Sequence, residues 1–120
     1  HTTTRFYTGQ VDTPAVFRWE ELPLERVTEM VARKVAQTPA HVVAQVYLKR
    51  GALVPRHQHG AEQLLYVLQG ALACRIGDRA RIIRQGEMVA VPAGVPHQAE
   101  ALDDTFVMSM HAADVIGPGR

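Results

Sequence analysis

Apolar and polar positions alternate in short runs along most of this chain. Residues 42–48 alternate apolar and polar faces and lead to Gly51. Residues 63–68 read as another strand, mainly apolar, that stops at Gly70, and residues 71–76 close on the turn dipeptide Gly77-Asp78. Residues 80–83 lead to Gly86, and 88–91 lead to Pro92-Ala93-Gly94. Residues 98–101 and 105–111 complete the series. A period of two bounded by Gly and Pro marks a strand. Many short strands with turns at about 8–12-residue spacing predict an all-β sandwich or barrel. Within this pattern Val42, Ala44, Val46 and Leu48 share one face, and Gln63, Leu65 and Val67 share another.

The first third is less regular. Residues 16–20, with Trp19, predict a short strand, and Pro23 predicts a turn over 22–24. Residues 24–37 carry two patterns. Leu24, Val27, Met30, Val31 and Val35 fit a helical face. Read as a strand, the same stretch sets Val31, Arg33 and Val35 against Met30, Ala32 and Lys34. Residues 1–15 are polar and read as an arm or first edge strand. Gly117-Pro118-Gly119-Arg120 ends a tail over 114–120 expected to fray. The body of the fold is expected over 16–113.

With 120 residues and 13.2 kDa the chain has room for one domain. Hydrophobic residues make up 47% and charged residues 21%, which is enough apolar material for a packed core and argues against disorder. No apolar run approaches the roughly 18–20 residues of a membrane span, and the opening residues show no signal-peptide pattern. The net charge of +1 comes without a basic stripe, so no nucleic-acid partner is expected. Cys74 is the only cysteine, which excludes an intrachain disulfide and a thiolate zinc cluster and fits a cytoplasmic location. Cys74 itself reads as an inert core residue, and His41 as exposed.

The candidate chemistry lies in the histidines. His57 and His59 are two apart, so a strand would aim both imidazoles to one side. Glu62 and Gln63 follow after a short gap. His97 comes directly after a turn fixed by Pro92 and Gly94. Neutral imidazole suits borderline divalent metals, and three such ligands with one oxygen donor leave coordination positions open.

These two segments resemble the motifs of the cupin superfamily. The first motif matches at Gly51, His57, His59 and Gly70, with Gln63 where Glu is usual. The second matches at Gly86, Pro92, Gly94 and His97, with Ala101 where Asn is usual. The resemblance implies a small antiparallel β-barrel or jelly roll holding a metal on His57, His59, Gln63 and His97. Zn, Ni, Fe, Mn, Cu and Co all suit such a ligand set. Gln63 lacks the charge of a carboxylate, so the site is expected to hold metal less tightly. Within the family the chain is most similar to small pectin-degradation cupins, at Trp19-Glu20-Glu21-Leu22, Tyr66-Val67-Leu68 and Asp104-Thr105. That similarity assigns residues 29–37 to a strand, against the helical periodicity. It also implies a catalytic Asp and a Phe on the last strand, where this chain has Ser109 and His111.

The expected function is therefore a metal-dependent small-molecule enzyme. The metal would act as a Lewis acid on an oxygen-rich carbonyl compound or a sugar acid, in isomerase- or lyase-like chemistry. His111 would move protons, and Ser109 would orient the substrate. The alternatives are a non-catalytic module that binds a metal or small ligand, and a dioxygenase if the metal is redox-active. The resemblance also implies a homodimer. Arg75, Arg79, Arg81 and Arg84 read as a solvated hairpin face, with an inward Arg75 as the minority case. Glu62 reads as a rim carboxylate.

Overall fold

A computed structural model describes residues 4–6 and 13–113 of the chain; the tail expected over 114–120 and most of the arm over 1–15 lie outside the described residues. Among the described residues eleven strands form two sheets. They are β1 (Thr4–Phe6), β2 (Glu25–Arg26), β3 (Val31–Gln37), β4 (His41–Leu48), β5 (Leu53–His57) and β6 (Gln63–Gln69). Then follow β7 (Ala71–Ile76), β8 (Arg79–Arg84), β9 (Met88–Val91), β10 (His97–Ala101) and β11 (Thr105–Ala112). The larger sheet runs β1-β3-β4-β11-β6-β9, with β2 also paired to β3; the smaller runs β5-β10-β7-β8. Every pairing is antiparallel except β1 with β3. The two sheets stay separate rather than sharing a closed hydrogen-bonded wall, so of the two expected architectures the fold is the jelly roll.

The period-two residues meet between the sheets. Among the described residues Val67, Val91 and Val107 are the largest fully buried side chains, and Leu48, Leu72 and Ile83 pack in one cluster with Val67 and Val107. Each such burial contributes on the order of 1.5–3 kcal/mol. Glycine takes the corners that need a left-handed backbone. Gly77 has φ +61° and heads the β7–β8 hairpin, while Asp78 has an ordinary φ, which is the II′ pattern.

Residues 24–37 form no helix: β2 and β3 are joined by a bend over 27–30, so the strand expected over 29–37 begins at Val31. Val27 and Thr28 donate backbone N–H groups to Val31 O at 2.8 and 3.0 Å, which turns β2 back onto β3. The helical stripe was a coincidence of two environments. Leu24, Val27 and Met30 are exposed, at 61%, 51% and 37%, whereas Val31 and Val35 sit in the core. The strand expected at 16–20 is corrected to extended chain ending in a single 3-10 turn at Trp19–Glu21. Its backbone is satisfied locally, by Glu21 N–H to Arg18 O at 2.9 Å, and Lys34 Nζ ties it to the large sheet through Trp19 O at 2.9 Å. Leu22, 3% exposed, anchors the segment. Among the described residues no helix is long and apolar enough to cross a membrane.

Candidate metal centre

Two strands of the smaller sheet and one strand of the larger carry the site. β5 ends on His57 and β10 begins on His97, and the two residues are register partners. Their rings lie 4.2 Å apart between centroids. His59 does not continue β5 as the alternation suggested; it lies in the loop beyond the strand end. What aims it inward is a backbone bond, Gly94 N–H to His59 O at 2.7 Å. That bond ties the loop to the turn before His97. The turn closes through Val95 N–H to Pro92 O at 3.3 Å, and Gly94 takes φ +77° at its third position, as a type II turn requires. The His59 ring then stands 4.7 Å from His57 and 5.4 Å from His97. One ligating nitrogen from each of the three lies within 4.8 Å of the others.

Gln63 opens β6 on the facing sheet and reaches the same point. Its Oε1 is 3.2 Å from His97 Nε2, and its Nε2 donates to Ser109 Oγ at 2.8 Å. Ser109 is therefore engaged with Gln63. His111 sits directly opposite Gln63 in the β11–β6 register and lines the cavity. Its ring is nearly parallel to that of His59, with centroids 6.0 Å apart, and stays outside the three-histidine cluster. Glu62 is exposed, consistent with the rim role expected of it.

The donor chemistry fits a bound cation. A carbonyl oxygen only accepts, so His57 Nδ1 at 2.8 Å from Pro55 O and His97 Nδ1 at 3.0 Å from Val95 O must each carry the proton. In the neutral form of each ring Nε2 is then a bare lone pair. With Gln63 Nε2 donating to Ser109, Gln63 Oε1 turns a second lone pair toward His97 Nε2. Burial pushes His97 below the usual imidazole pKa, against the raising effect of the Val95 bond and with a smaller lowering from His57. Protonation of the ring is thus disfavoured as a way of relieving these facing lone pairs. A divalent metal, held by neutral nitrogens and a carbonyl oxygen, relieves them directly.

The cavity behind this cluster has a volume of about 430 Å³. Its walls are mainly Val and Leu from β3, β4, β5 and β11, as the strand parity indicated. The polar exceptions include Gln37 of β3, level with His111 across β4, and Arg33 further along the same strand. Neither was a candidate site residue from the sequence, although as a strand residues 31–35 put Arg33 on the face of Val31 and Val35. The helical alternative obscured that placement. Arg75 is exposed and directs Nη1 to Asp78 O at 3.5 Å, on the outer face of its hairpin. Cys74 is buried and His41 exposed.

Fold and site together define a jelly-roll protein with a histidine cluster suited to metal. The Cupin domain family matches residues 44–113, and the chain belongs to the cupin family. No curated protein gives a significant match. Among solved structures, KdgF from a Halomonas species is 30% identical, with 83% of this chain and 94% of that one covered and a TM-score of 0.78. An RmlC-like cupin from Shewanella frigidimarina is 17% identical, over 83% of this chain and 91% of that one, with a TM-score of 0.77. A salicylate 1,2-dioxygenase from Pseudaminobacter salicylatoxidans is 18% identical and has a TM-score of 0.68; the match covers 77% of this chain but 28% of the dioxygenase. The last two share the fold.

Proposed function

We propose that this cupin is a metal-dependent enzyme acting on a small carbonyl compound or sugar acid, in isomerase- or lyase-like chemistry. The observation that carries the reading is the convergence of His57, His59 and His97 with Gln63 Oε1 at one end of a cavity that His111 also lines. These four residues are the metal ligands in this reading. A bound divalent ion supplies Lewis-acid polarisation of a carbonyl or hydroxyl oxygen.

The chain's own residues do the rest. His111 Nδ1 lies 2.8 Å from Ala112 O, which places the proton on Nδ1 and leaves Nε2 as a base. An imidazole in that state takes a proton from the substrate carbon or hydroxyl next to the polarised oxygen and returns it. Ser109 holds the Gln63 amide and so is a positioning residue. The apolar walls exclude water from the exchange. A homodimer and a cytoplasmic location belong to the same proposal. A sedimentation mass near 13.2 kDa at micromolar concentration would remove the dimer.

A second reading is a module that binds a metal or small ligand without turnover. It draws on the absence of Asp or Glu from the described residues lining the cavity, where the similar pectin-degradation cupins carry a catalytic Asp. Metal-loaded protein assayed against uronates, diketones and hydroxynitriles separates the two. Turnover that drops about 100-fold or more in His111→Ala supports the enzyme. Binding without turnover, indifferent to His111→Ala, supports the module. A redox-active metal that consumes dioxygen in the same assay points to dioxygenase chemistry instead.

A further inference from the structure

Among the described residues lining the cavity, Arg33 is the one with a permanent charge, and no carboxylate shares the lining. β3 places Arg33 at the far end from the histidines. It lies opposite Val46 and, one strand further, Val107, whereas His111 lies opposite Val42 and Gln63. Arg33 and His111 are thus two strands and four residues apart, about 16 Å between Cα atoms at standard sheet spacings. The surface between them is mostly apolar, made by Val35, Ala44, Val46, Val54 and Leu65, with Ser109, already bonded to Gln63, as the polar exception. Glu25 accepts the Arg33 Nε–H at 2.7 Å. A guanidinium has four further N–H donors on its two terminal nitrogens, arranged to take a carboxylate in two parallel bonds.

We propose that Arg33 is a specificity-determining residue that binds the carboxylate of an elongated, amphipathic acid, whose other end bears the oxygens offered to the histidine cluster. This rests on the metal reading above and narrows it. A compact sugar acid with hydroxyls on every carbon leaves the apolar stretch unmatched and cannot engage both ends. An acid with a hydrocarbon middle fills it.

The probes are monohydroxamates of straight-chain dicarboxylic acids, from adipic to sebacic, each compared with its methyl ester. The hydroxamate chelates metal and the distal group is charged or neutral. Binding to metal-loaded protein is followed by calorimetry. At one chain length the acid binds roughly tenfold tighter than its ester, the worth of one charge-assisted contact. Arg33→Met removes that preference and leaves ester affinity unchanged, while Arg33→Lys retains part of it. Glu25→Gln, which keeps Arg33 and removes its competitor, increases the preference and tests the same contact should Arg33→Met fail to fold. Acid and ester binding alike at every length, or a preference that survives Arg33→Met, overturns the proposal while leaving the metal reading intact. Ester probes that fail to bind metal-loaded protein at all strike the metal reading itself, and the Arg33 assignment falls with it.

Discussion

Gln63 and Ser109 lie diagonally across β6 and β11, joined by a 2.8 Å bond that turns the amide oxygen of Gln63 toward His97. The neutral residue in the ligand position is therefore oriented by a neighbour. Partners of this kind are typically worth about 10–100-fold in metal affinity. Ser109→Ala is expected to weaken zinc binding toward the lower end of that range, by chelator competition. Gln63→Glu is expected to tighten it about tenfold, since a carboxylate adds charge and the Ser109 hydroxyl can rotate to donate. Weaker binding by Gln63→Glu would argue that this side chain is not a ligand.

Metal should stabilise the fold by mass action. At a free concentration of 100 times Kd the gain is about 2.7 kcal/mol, or roughly 10 °C in Tm for a domain of this size. Adding zinc to chelator-treated protein should raise Tm by that order, by differential scanning fluorimetry. His97→Ala should abolish the rise. A rise of equal size in His97→Ala would place the ion elsewhere.

Gly70 and Gly86 have nearly the same left-handed backbone, with φ +87° and +86°. Their surroundings differ. A Cβ on Gly70 would lie 2.5 Å from Asp104 O and from Thr105 Oγ1, while one on Gly86 would meet nothing within 4 Å. Thr105 cannot move aside, because it is buried and bridges Asp103 O and Ala71. Gly86→Ala should cost about 1 kcal/mol, the strain of the backbone alone. Gly70→Ala should cost more than about 3 kcal/mol, or prevent folding. Urea unfolding of the pair measures both, and equal losses would mean that backbone conformation alone decides.

Burial raises the pKa of Cys74 above the ordinary thiol value. The native protein thus holds less thiolate than the unfolded chain at alkaline pH. Ellman's reagent should react with it slowly near pH 8 and rapidly in denaturant. The sign for stability follows. Below the ordinary thiol pKa both states are protonated and the group contributes nothing. As pH rises through it the unfolded chain ionises first, so stability falls. Cys74→Ser should flatten that alkaline decline.

The strands from 42 onward were legible because their alternation, turn glycines and core faces agree with one another. The three histidines were legible from spacing, although the reason His59 points inward is not an alternating strand but the Gly94 bond, which no local pattern reveals. Residues 24–37 misled the helical count because Leu24, Val27 and Met30 are exposed apolar residues around a hairpin, and a stripe drawn through them mixes solvent with core. Arg33 was obscured for the same reason. Residues 16–20 pair with no strand and end in a short 3-10 turn that Lys34 ties to the large sheet, a contact no local pattern reveals. Ser109 was recognised as inward, but its hold on Gln63 depends on a diagonal neighbour contributed 46 residues earlier.

The pairing of His57 with His97 has a consequence for biosynthesis. His57 and His97 come from segments that meet only when β10 docks on β5, with β6 to β9 lying between them in the chain. A cation that needs the rings of both segments finds them together only after β10 has been made and paired. Full coordination of a cation by this cluster would therefore come late, open only to molecules that have already brought β10 onto β5.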